Sequence, residues 1–349
     1  MNTNNQSSLN PDKLLDIRNL YVEYLTPRGA VQAVNGVSFS IKKGEVFGLA
    51  GESGCGKSTI AHTILRVLRP PAIVTGGNIL FKGIDILDLG EENTKVKNER
   101  RKITARKDKQ NPEMTLEAFR WAEISMVFQS AMNSLNPVVR VVDQITDVLM
   151  THQNLDKNQA RVRAEELMEI VNIDKKRLDA YPHELSGGMR QRMVIAVALA
   201  LSPDLMIMDE PTTALDVVVQ KDILQQIDQL KRQLGFSILF ITHDLSLMVE
   251  FSDRIAIMYA GEIVELAPSS EILTNPLHPY TEGLLTSFPS ITGPKKKLTG
   301  IPGSPPNLIN PPKGCRFHPR CPYFNGEEQE TSPELREVSP GHWVACTCK

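Results

Sequence analysis

The sequence predicts an α/β fold built on a parallel sheet, and three observations support this prediction. An apolar run at 45–50 leads directly into a glycine-rich loop, which is the pattern of a buried strand feeding a helix. Apolar runs at 205–208 and 236–241 flank a helical stretch at 217–234, and this order predicts parallel strands joined by a crossover helix. Alternating or β-branched runs between glycine turns within 13–49 predict further strands.

Outside the predicted sheet, the chain divides into segments of different character. Residues 1–12 are polar and predict a disordered tail, whereas dense proline and glycine at 287–322 predict a loop-rich appendage without a regular core. The highly charged stretch at 91–118 is typical of a solvated surface insertion, with a basic docking surface as the alternative. Apolar residues at helical spacing predict a helical subdomain over about 130–190. Examples of these apolar positions are Val162, Ala164, Leu167, Ile170 and Val171.

Composition and charge exclude several classes of protein. The net charge is only −2, so the overall charge gives no support for a nucleic acid as partner. No stretch approaches the roughly 18–20 uninterrupted apolar residues of a membrane-spanning helix. The polar N-terminal segment lacks a basic region followed by an apolar run, so we expect no secretory signal and a cytoplasmic location.

The glycine-rich loop at 51–59 carries the strongest single motif. It fits the pattern G-x-x-x-x-G-K-[ST], in which backbone N–H groups converge on phosphate oxygens and the next helix adds its positive dipole end. We expect Lys57 to reach the β- and γ-phosphates, Ser58 to offer its hydroxyl to Mg²⁺, and Thr59 to contact the α-phosphate. Only the backbone of Cys55 is needed, so its thiol is not interpreted as a nucleophile. The nucleotide-binding residues predicted in this loop are Gly51, Ser53, Gly54, Cys55, Gly56, Lys57, Ser58 and Thr59.

Four polar residues at predicted strand ends suit the chemistry of phosphate transfer. Asp209 and Glu210 end one strand and point in opposite directions. Asp209 therefore suits Mg²⁺ coordination through water, and Glu210 suits orienting or deprotonating the attacking water. His243 ends the next strand, where it is positioned to contact the γ-phosphate and hold the catalytic carboxylate, unless it is a structural histidine. Gln129 suits Mg²⁺ or the attacking water, with an ordinary surface glutamine as the alternative.

Six motifs in a fixed order resemble those of the ATP-binding-cassette (ABC) ATPases. In chain order they are the phosphate loop, Gln129, Leu-Ser-Gly-Gly-Met at 185–189, Asp209 with Glu210, Ala-Leu-Asp at 214–216, and His243. The resemblance implies an ABC-type nucleotide-binding domain over 13–268, with a RecA-like parallel-sheet core, an antiparallel β subdomain and the helical subdomain. It also implies a head-to-tail dimer that closes over ATP.

The same resemblance gives roles to residues outside the phosphate loop. Asp216 would cross the dimer interface, and Tyr24 would stack on adenine, with Tyr21 as the weaker choice. Part of the pentapeptide at 185–189 would contact the γ-phosphate held by the other subunit. These residues are Ser186, Gly187 and Gly188.

A narrower resemblance covers almost the whole chain. Segments at 128–137, 278–281, 300–306 and 314–322 resemble the ATPase subunits of dipeptide and oligopeptide importers, which implies an importer-type C-terminal extension over 269–349. It further implies peptide uptake by a complex at the cytoplasmic face of the cell membrane. The partners implied are a second, related but different ATPase chain, two transmembrane permeases and an extracytoplasmic substrate-binding protein. Relatives that serve nickel, glutathione or oligosaccharides leave the substrate open.

Two other classes of function remain as alternatives. Soluble ABC ATPases that act on DNA or ribosomes generally carry two cassettes, whereas this chain carries one and has no basic bias. A redox-sensing or binding module would make the cysteine-containing tail the functional part, and the complete catalytic set argues against it.

Four of the five cysteines lie within one short part of the extension. Four thiolates suit either a [4Fe–4S] cluster or structural zinc, and the resemblance includes an iron–sulfur cluster in some members. The family's third cysteine is replaced by residues 325–330, and the close spacing of the last pair weighs against one shared centre. Free thiols remain possible, and cytoplasmic reduction disfavours disulfides. The four residues are Cys315, Cys321, Cys346 and Cys348.

Overall fold

The computed structural model describes most of the chain. Most of the predicted charged insertion at 91–118, the tail up to residue 11, and residues 213–215 lie outside the described part. Only the backbone of Trp121 is described. The described residues are 12–89, 116, 119–129, 134–212, 216–287, 300–324 and 332–348.

An antiparallel sheet of four strands is formed by the first part of the chain. Its strands are β1 (Lys13–Thr26), β2 (Gly29–Lys42), β4 (Ala72–Phe81) and β5 (Ile84–Asp85). They lie side by side in the order β2–β1–β4–β5. The two longest strands form a hairpin whose last pair is Thr26 with Gly29, so the connecting turn has two residues.

In the part of the chain that the structure describes, the larger sheet has eight strands, of which five are parallel. The parallel strands are β3 (Val46–Ala50), β6 (Ile124–Val127), β7 (Leu205–Asp209), β8 (Ser237–Ile241) and β9 (Arg254–Tyr259). The antiparallel strands are β10 (Glu262–Pro268), β11 (Arg336–Ser339) and β12 (His342–Val344). The spatial order is β11–β12–β10–β9–β3–β8–β7–β6. The phosphate loop follows the central strand β3.

The larger sheet separates two hydrophobic cores, because successive side chains of a strand point to opposite faces. Met206 and Met208 of β7 pack into the core on the helical side. Leu205 and Ile207 pack into the other core, together with the antiparallel sheet. Since both faces are buried, these strands read as continuous apolar runs in the sequence.

Helices cover the sheet on both faces. They are α1 (Lys57–Ile64), α2 (Val141–Gln153), α3 (Lys157–Ile170), α4 (Gly187–Leu199), α5 (Val217–Leu234), α6 (Leu245–Phe251), α7 (Ser269–Thr274) and α8 (Pro279–Thr286). Short 3₁₀ turns lie at Ile86–Asp88, Lys175–Arg177, Pro182–Glu184 and His318–Arg320, and a π-helical turn at Phe119–Glu123. α1 packs on the side of the antiparallel sheet, whereas α2 to α5 form the opposite layer.

Between β6 and β7 the described chain forms the helices α2, α3 and α4, in the part where the sequence predicts a helical subdomain. α3 begins at a capping box between Asp156 and Gln159. Ala164 and Leu167 are buried in this helix, whereas Val162 is 57% exposed. Val162 lies two residues before Ala164, off the i, i+3, i+4 stripe that faces the core.

The C-terminal extension joins the larger sheet. β12 pairs antiparallel with β10, so that Glu265 faces Val344. His342 donates from Nε2 to the Glu265 carboxylate at 2.8 Å, and both side chains are fully buried. The described part at 300–324 is loop-rich, as the sequence predicts, with one 3₁₀ turn.

Candidate functional site

The phosphate loop connects β3 to α1 in a conformation that only glycine adopts easily. Gly51 has φ +148° and Gly56 has φ +107°. A Cβ at Gly51 would lie 2.1 Å from the Met258 carbonyl oxygen, and one at Gly56 would lie 2.2 Å from the Ala33 carbonyl oxygen. The loop is therefore packed against neighbouring backbone and has no room for side chains at these two positions.

Lys57 is directed into the phosphate loop. Its ammonium donates to the carbonyl oxygens of Gly51, at 2.7 Å, and Glu52, at 2.9 Å. The side chain is almost completely buried. Cys55 lies beside it, and burial raises the pKa of this thiol, so the thiol is neutral near pH 7.

Ser58 and Asp209 form a second polar pair at the loop. The Ser58 hydroxyl hydrogen-bonds the Asp209 carboxylate at the end of β7. Burial raises the pKa of Asp209, and the hydrogen bond from Ser58 opposes that rise. A hydroxyl beside a buried carboxylate offers oxygen ligands that Mg²⁺ accepts.

Glu210 is held between two side chains from neighbouring strand ends. Gln129 Nε2 donates to Oε2 of Glu210 at 3.0 Å, and His243 Nδ1 lies 3.0 Å from Oε1. The backbone of Glu210 has a left-handed φ of +47°, and its N–H donates to the Ile241 carbonyl. The structure thus brings together the three residues predicted from the sequence to be catalytic.

A cavity of about 370 Å³ lies above the phosphate loop. Tyr24 lines it, and the Tyr24 hydroxyl lies 3.2 Å from Oγ1 of Thr59. Tyr21 is not among the lining residues. The described residues that line the cavity are Tyr24, Val31, Ala33, Ser53, Gly54, Gly56, Lys57, Ser58, Thr59, Gln129, Glu210 and Leu308.

The pentapeptide at 185–189 lies elsewhere in the chain and lines no part of this cavity. Ser186 is the N-cap of α4 and accepts the N–H of Met189 at 3.3 Å, while Gly187 and Gly188 form the first turn. Asp216 is the N-cap of α5 and is exposed. The structure therefore does not bring these four predicted residues to the phosphate loop of the same chain.

The four C-terminal cysteines approach one another without forming a metal site. Sγ atoms of Cys321 and Cys348 lie 3.8 Å apart, and Cys348 N donates to Sγ of Cys346. Burial raises the pKa of Cys315 to about 11, which keeps its thiol protonated at neutral pH. Within the described ranges, no group of three or more His, Cys, Asp or Glu residues is arranged to hold a metal ion. The predicted [4Fe–4S] ligand set is therefore not supported.

Comparison with known sequences identifies the family. The profile described as "ABC transporter" matches residues 34–213, about half of the chain. This chain belongs to the ABC transporter family. Its extension matches, over residues 264–327, the profile described as "Oligopeptide/dipeptide transporter, C-terminal region". Family membership confirms the predicted enzyme class, an ABC-type ATPase.

Individual relatives of this ABC ATPase extend over nearly the whole chain. It is 44% identical to the "Oligopeptide transport ATP-binding protein OppD" of Bacillus subtilis (strain 168), over 95% of this chain and 88% of the relative. It is 41% identical to OppD of Escherichia coli (strain K12), over 96% of this chain and 93% of the relative.

Among solved structures, this ABC ATPase is similar to the ATP-binding cassette MJ0796 in a dimeric post-hydrolysis state bound to ADP and Pi. The two are 26% identical, with 73% of this chain and 98% of that chain covered, at a TM-score of 0.59. This confirms the predicted ABC-type fold class. Within the part of the chain that is described, no helix has the length and apolar character of a membrane span.

Sequence reasoning missed contacts between the extension of this ABC ATPase and its phosphate loop. Arg320 pairs with Glu52, the Tyr280 hydroxyl accepts the N–H of Glu52, and Leu308 lines the cavity. Tyr280 and Arg320 fall in the segments at 278–281 and 314–322 that carry the importer resemblance. This resemblance was the one sequence signal that could have marked the two residues as functional. Nothing local connects these residues to Glu52.

Proposed function

We propose that this chain is the ATP-hydrolysing subunit of an importer that takes up di- or oligopeptides. The observation that carries the catalytic part is the position of Glu210 between Gln129 and His243, beside the cavity that Lys57 and Ser58 line. The transported substrate follows from the extension and from relatives whose names specify oligopeptide or dipeptide transport. Oligosaccharide, nickel and glutathione importers are the alternative setting for the same ATPase.

In this proposal the phosphate loop binds the triphosphate of ATP. Backbone N–H groups of the loop and the start of α1 point to the phosphates, and Lys57 leaves the loop carbonyls for the β- and γ-phosphate oxygens. Tyr24, which lines the cavity beside Thr59, supplies the aromatic face for adenine. The loop residues taking part are Gly51, Ser53, Gly54, Cys55, Gly56, Lys57, Ser58 and Thr59.

The residues present fit Mg²⁺ as the accompanying ion. Ser58 and Gln129 offer neutral oxygens, and Asp209 offers a buried carboxylate whose pKa is raised by burial. When bound, Mg²⁺ neutralises charge that develops on the phosphate oxygens. Asp209, hydrogen-bonded by Ser58, would act on the ion through water.

Glu210 orients and deprotonates the attacking water. Its carboxylate accepts from Gln129, and His243 holds the other oxygen when the Nδ1 tautomer carries the proton. Both oxygens are therefore fixed before the water arrives, which lowers the cost of aligning the base. Gln129 and His243 have the further roles of sensing Mg²⁺ and the γ-phosphate.

The distance of the pentapeptide at 185–189 from the cavity is expected if each chain supplies only half of a nucleotide site. Ser186 and Asp216 cap exposed helix N-termini, and an N-terminus capped by a neutral side chain such as that of Ser186 attracts phosphate. Gly188 has no side chain, and a Cβ there would lie 3.2 Å from Val219, so the two helix starts pack closely. We infer that Ser186, Gly187 and Gly188 complete the nucleotide site of a partner ATPase in a head-to-tail dimer.

The proposed partners follow from the importer assignment. A second, related ATPase forms the heterodimer, two transmembrane permeases dock near Gln129 and residues 130–145, and an extracytoplasmic protein delivers the substrate. The complex places this chain at the cytoplasmic face of the cell membrane. ATP binding closes the dimer and hydrolysis reopens it, so that the helical subdomains carry the docked permeases with them.

The catalytic proposal is tested with Glu210→Gln in the assembled importer. This change keeps the volume and the hydrogen bond to Gln129 but removes the base, so hydrolysis should fall by about 10²–10⁴-fold while ATP binding is retained. The matched control is Glu250→Gln, an exposed carboxylate paired with Lys221. Wild-type turnover in the Glu210 variant would end the assignment of Glu210 as the base.

The cysteine cluster takes no part in this mechanism. Family resemblance favours a [4Fe–4S] cluster, whereas the sulfur positions do not form a ligand set in the described part of the chain. Measuring iron, zinc and acid-labile sulfide in anaerobically purified protein decides whether the cysteines hold a metal centre. Four irons and four sulfides per chain would mean that the thiols rearrange around a cluster, and their absence would leave Cys315 and its neighbours as thiols.

A further inference from the structure

A buried ion pair joins the C-terminal extension to the phosphate loop. Arg320 Nη1 lies 2.8 Å from Oε2 of Glu52, and Nη2 lies 3.0 Å from Oε1. The Arg320 side chain is only 4% exposed. Glu52 is the second residue of the glycine-rich loop, so a planar, two-bond contact fixes the loop from outside the nucleotide-binding fold.

The extension fixes Arg320 and also holds the loop backbone. Arg320 Nε donates to the Pro302 carbonyl at 2.8 Å, and its guanidinium lies 5.7 Å from the ring centre of Tyr259. The buried Tyr280 hydroxyl accepts the N–H of Glu52 at 2.9 Å. Glu52 is therefore held at both its side chain and its backbone by residues outside the loop.

The same residue leads to the predicted phosphate ligand. The Glu52 carbonyl oxygen accepts a hydrogen bond from Lys57 Nζ at 2.9 Å. A displacement of Glu52 thus moves one of the two carbonyls that position the Lys57 ammonium. The route from Arg320 to Lys57 passes through a single residue.

A second segment of the extension reaches the same cavity. The Leu308 carbonyl accepts the N–H of Gln32 in β2 at 3.0 Å, which fixes this segment against the antiparallel sheet. Leu308 lines the cavity together with Tyr24 and Val31, which face each other across β1 and β2. The extension therefore contributes to the wall of the cavity as well as to the contacts that hold the phosphate loop at Glu52.

We propose that the C-terminal extension is a working part of the nucleotide site, in which Arg320 is a positioning residue that sets the phosphate loop through Glu52. The inference rests on the proposed role of Lys57 as a phosphate ligand. The affinity for the nucleotide then depends on a segment outside the cassette. A change in the packing of residues 300–324 therefore changes ATP binding.

The test compares Arg320→Met with Arg254→Met. Arg254 is a matched control because it forms a similar pair with Glu45 at the other end of β3 and lies over the ring of Phe47. In the Arg320 variant the KM for MgATP of the assembled importer, and the Kd of the full chain, should rise about tenfold, the effect of losing a charge-assisted hydrogen bond. kcat should stay within about twofold, and Arg320→Lys should recover part of the affinity.

A double-mutant cycle decides whether Arg320 acts through Glu52. Glu52→Gln alone should weaken MgATP binding, and adding Arg320→Met should cause little further loss, because the two changes remove the same contact. Equal KM values in the Arg320 and Arg254 variants, or fully additive losses in the cycle, would overturn the inference.

Lys57→Met separates this inference from the proposed function. If Lys57→Met binds MgATP normally, the phosphate loop is not the nucleotide site and the proposed function fails. If Lys57→Met loses binding while Arg320→Met behaves like the Arg254 control, the function stands and the positioning role of Arg320 is wrong. Thermal unfolding of each variant establishes that it is folded.

Discussion

At the scale of single residues, Glu210 combines strain with a functional position. Its φ of +47° is unusual for a residue with a side chain and costs about 1–3 kcal/mol. The strain is offset by the hydrogen bond from its N–H to Ile241 and by the two contacts of its carboxylate. The two adjacent acids have different partners, since Glu210 contacts Gln129 and His243 whereas Asp209 is hydrogen-bonded by Ser58.

Cys55 permits a test of the loop's electrostatics. Burial raises its pKa, so at a given pH it holds less thiolate than an ordinary thiol, and its reactivity should appear only at higher pH. We expect Cys55 of the native protein to remain unmodified by iodoacetamide at pH 7.5. The reaction time is the time in which the denatured chain is modified completely. Mass spectrometry of the peptide that contains Cys55 measures this. Rapid modification of the native protein would show that the loop is open and Cys55 exposed.

At the scale of elements, Glu265 ties three parts of the fold together. Its carboxylate accepts from His342 in β12 and from the backbone N–H groups of Leu277 and His278 before α8. A fully buried carboxylate of this kind is stable only when every oxygen is satisfied. β10 therefore fixes both β12 of the extension and the start of α8.

Glu265→Ala should destabilise the protein by about 3–5 kcal/mol, because it leaves buried donors without their acceptor. Chemical denaturation followed by fluorescence, to which Trp343 of β12 contributes, measures the loss. The matched control is Glu271→Ala, which also lies near His342 but is 44% exposed, and which should change stability by less than about 1 kcal/mol. Similar midpoints for the two variants would contradict the role of Glu265.

Local patterns predicted the elements better than they predicted the contacts between them. The strand at 205–208 and the stretch at 217–234 were recognisable because a buried parallel strand is continuously apolar and its crossover helix is amphipathic. Gln129, Glu210 and His243 could be grouped because the carboxyl ends of parallel strands meet at one edge. Their catalytic roles stay predictions.

Contacts of long sequence separation left no local pattern. His342 meets Glu265 across 77 residues, and Arg320 meets Glu52 across 268. A charged residue in a loop-rich segment reads as solvated, and only the tertiary fold shows that Arg320 is buried. The need for a partner chain at Ser186 came only from the family resemblance of the pentapeptide at 185–189, because no spacing within one chain implies it.

At the scale of the whole molecule, the separation of Ser186 from the phosphate loop predicts that hydrolysis requires a partner. Ser186→Arg should leave MgATP binding by the isolated chain unchanged, because Ser186 lines no part of its own cavity. Hydrolysis by the assembled importer should fall about 100-fold, since the bulky cation obstructs the partner's phosphate. Ser270→Arg, on an exposed face of α7, is the control. Equal loss of binding in the isolated Ser186 variant would place this residue in its own site.

The ion pair between Arg320 and Glu52 also has a consequence for folding during synthesis of the chain. Synthesis proceeds from the N-terminus, so the phosphate loop leaves the ribosome 268 residues before the arginine that holds it. Domains form as their segments emerge, and the cassette core therefore folds while the phosphate loop still lacks its contact with Arg320. Docking of the extension is the late event that brings the nucleotide site to its final affinity, so a chain halted before residue 320 would be folded yet weakly responsive to ATP.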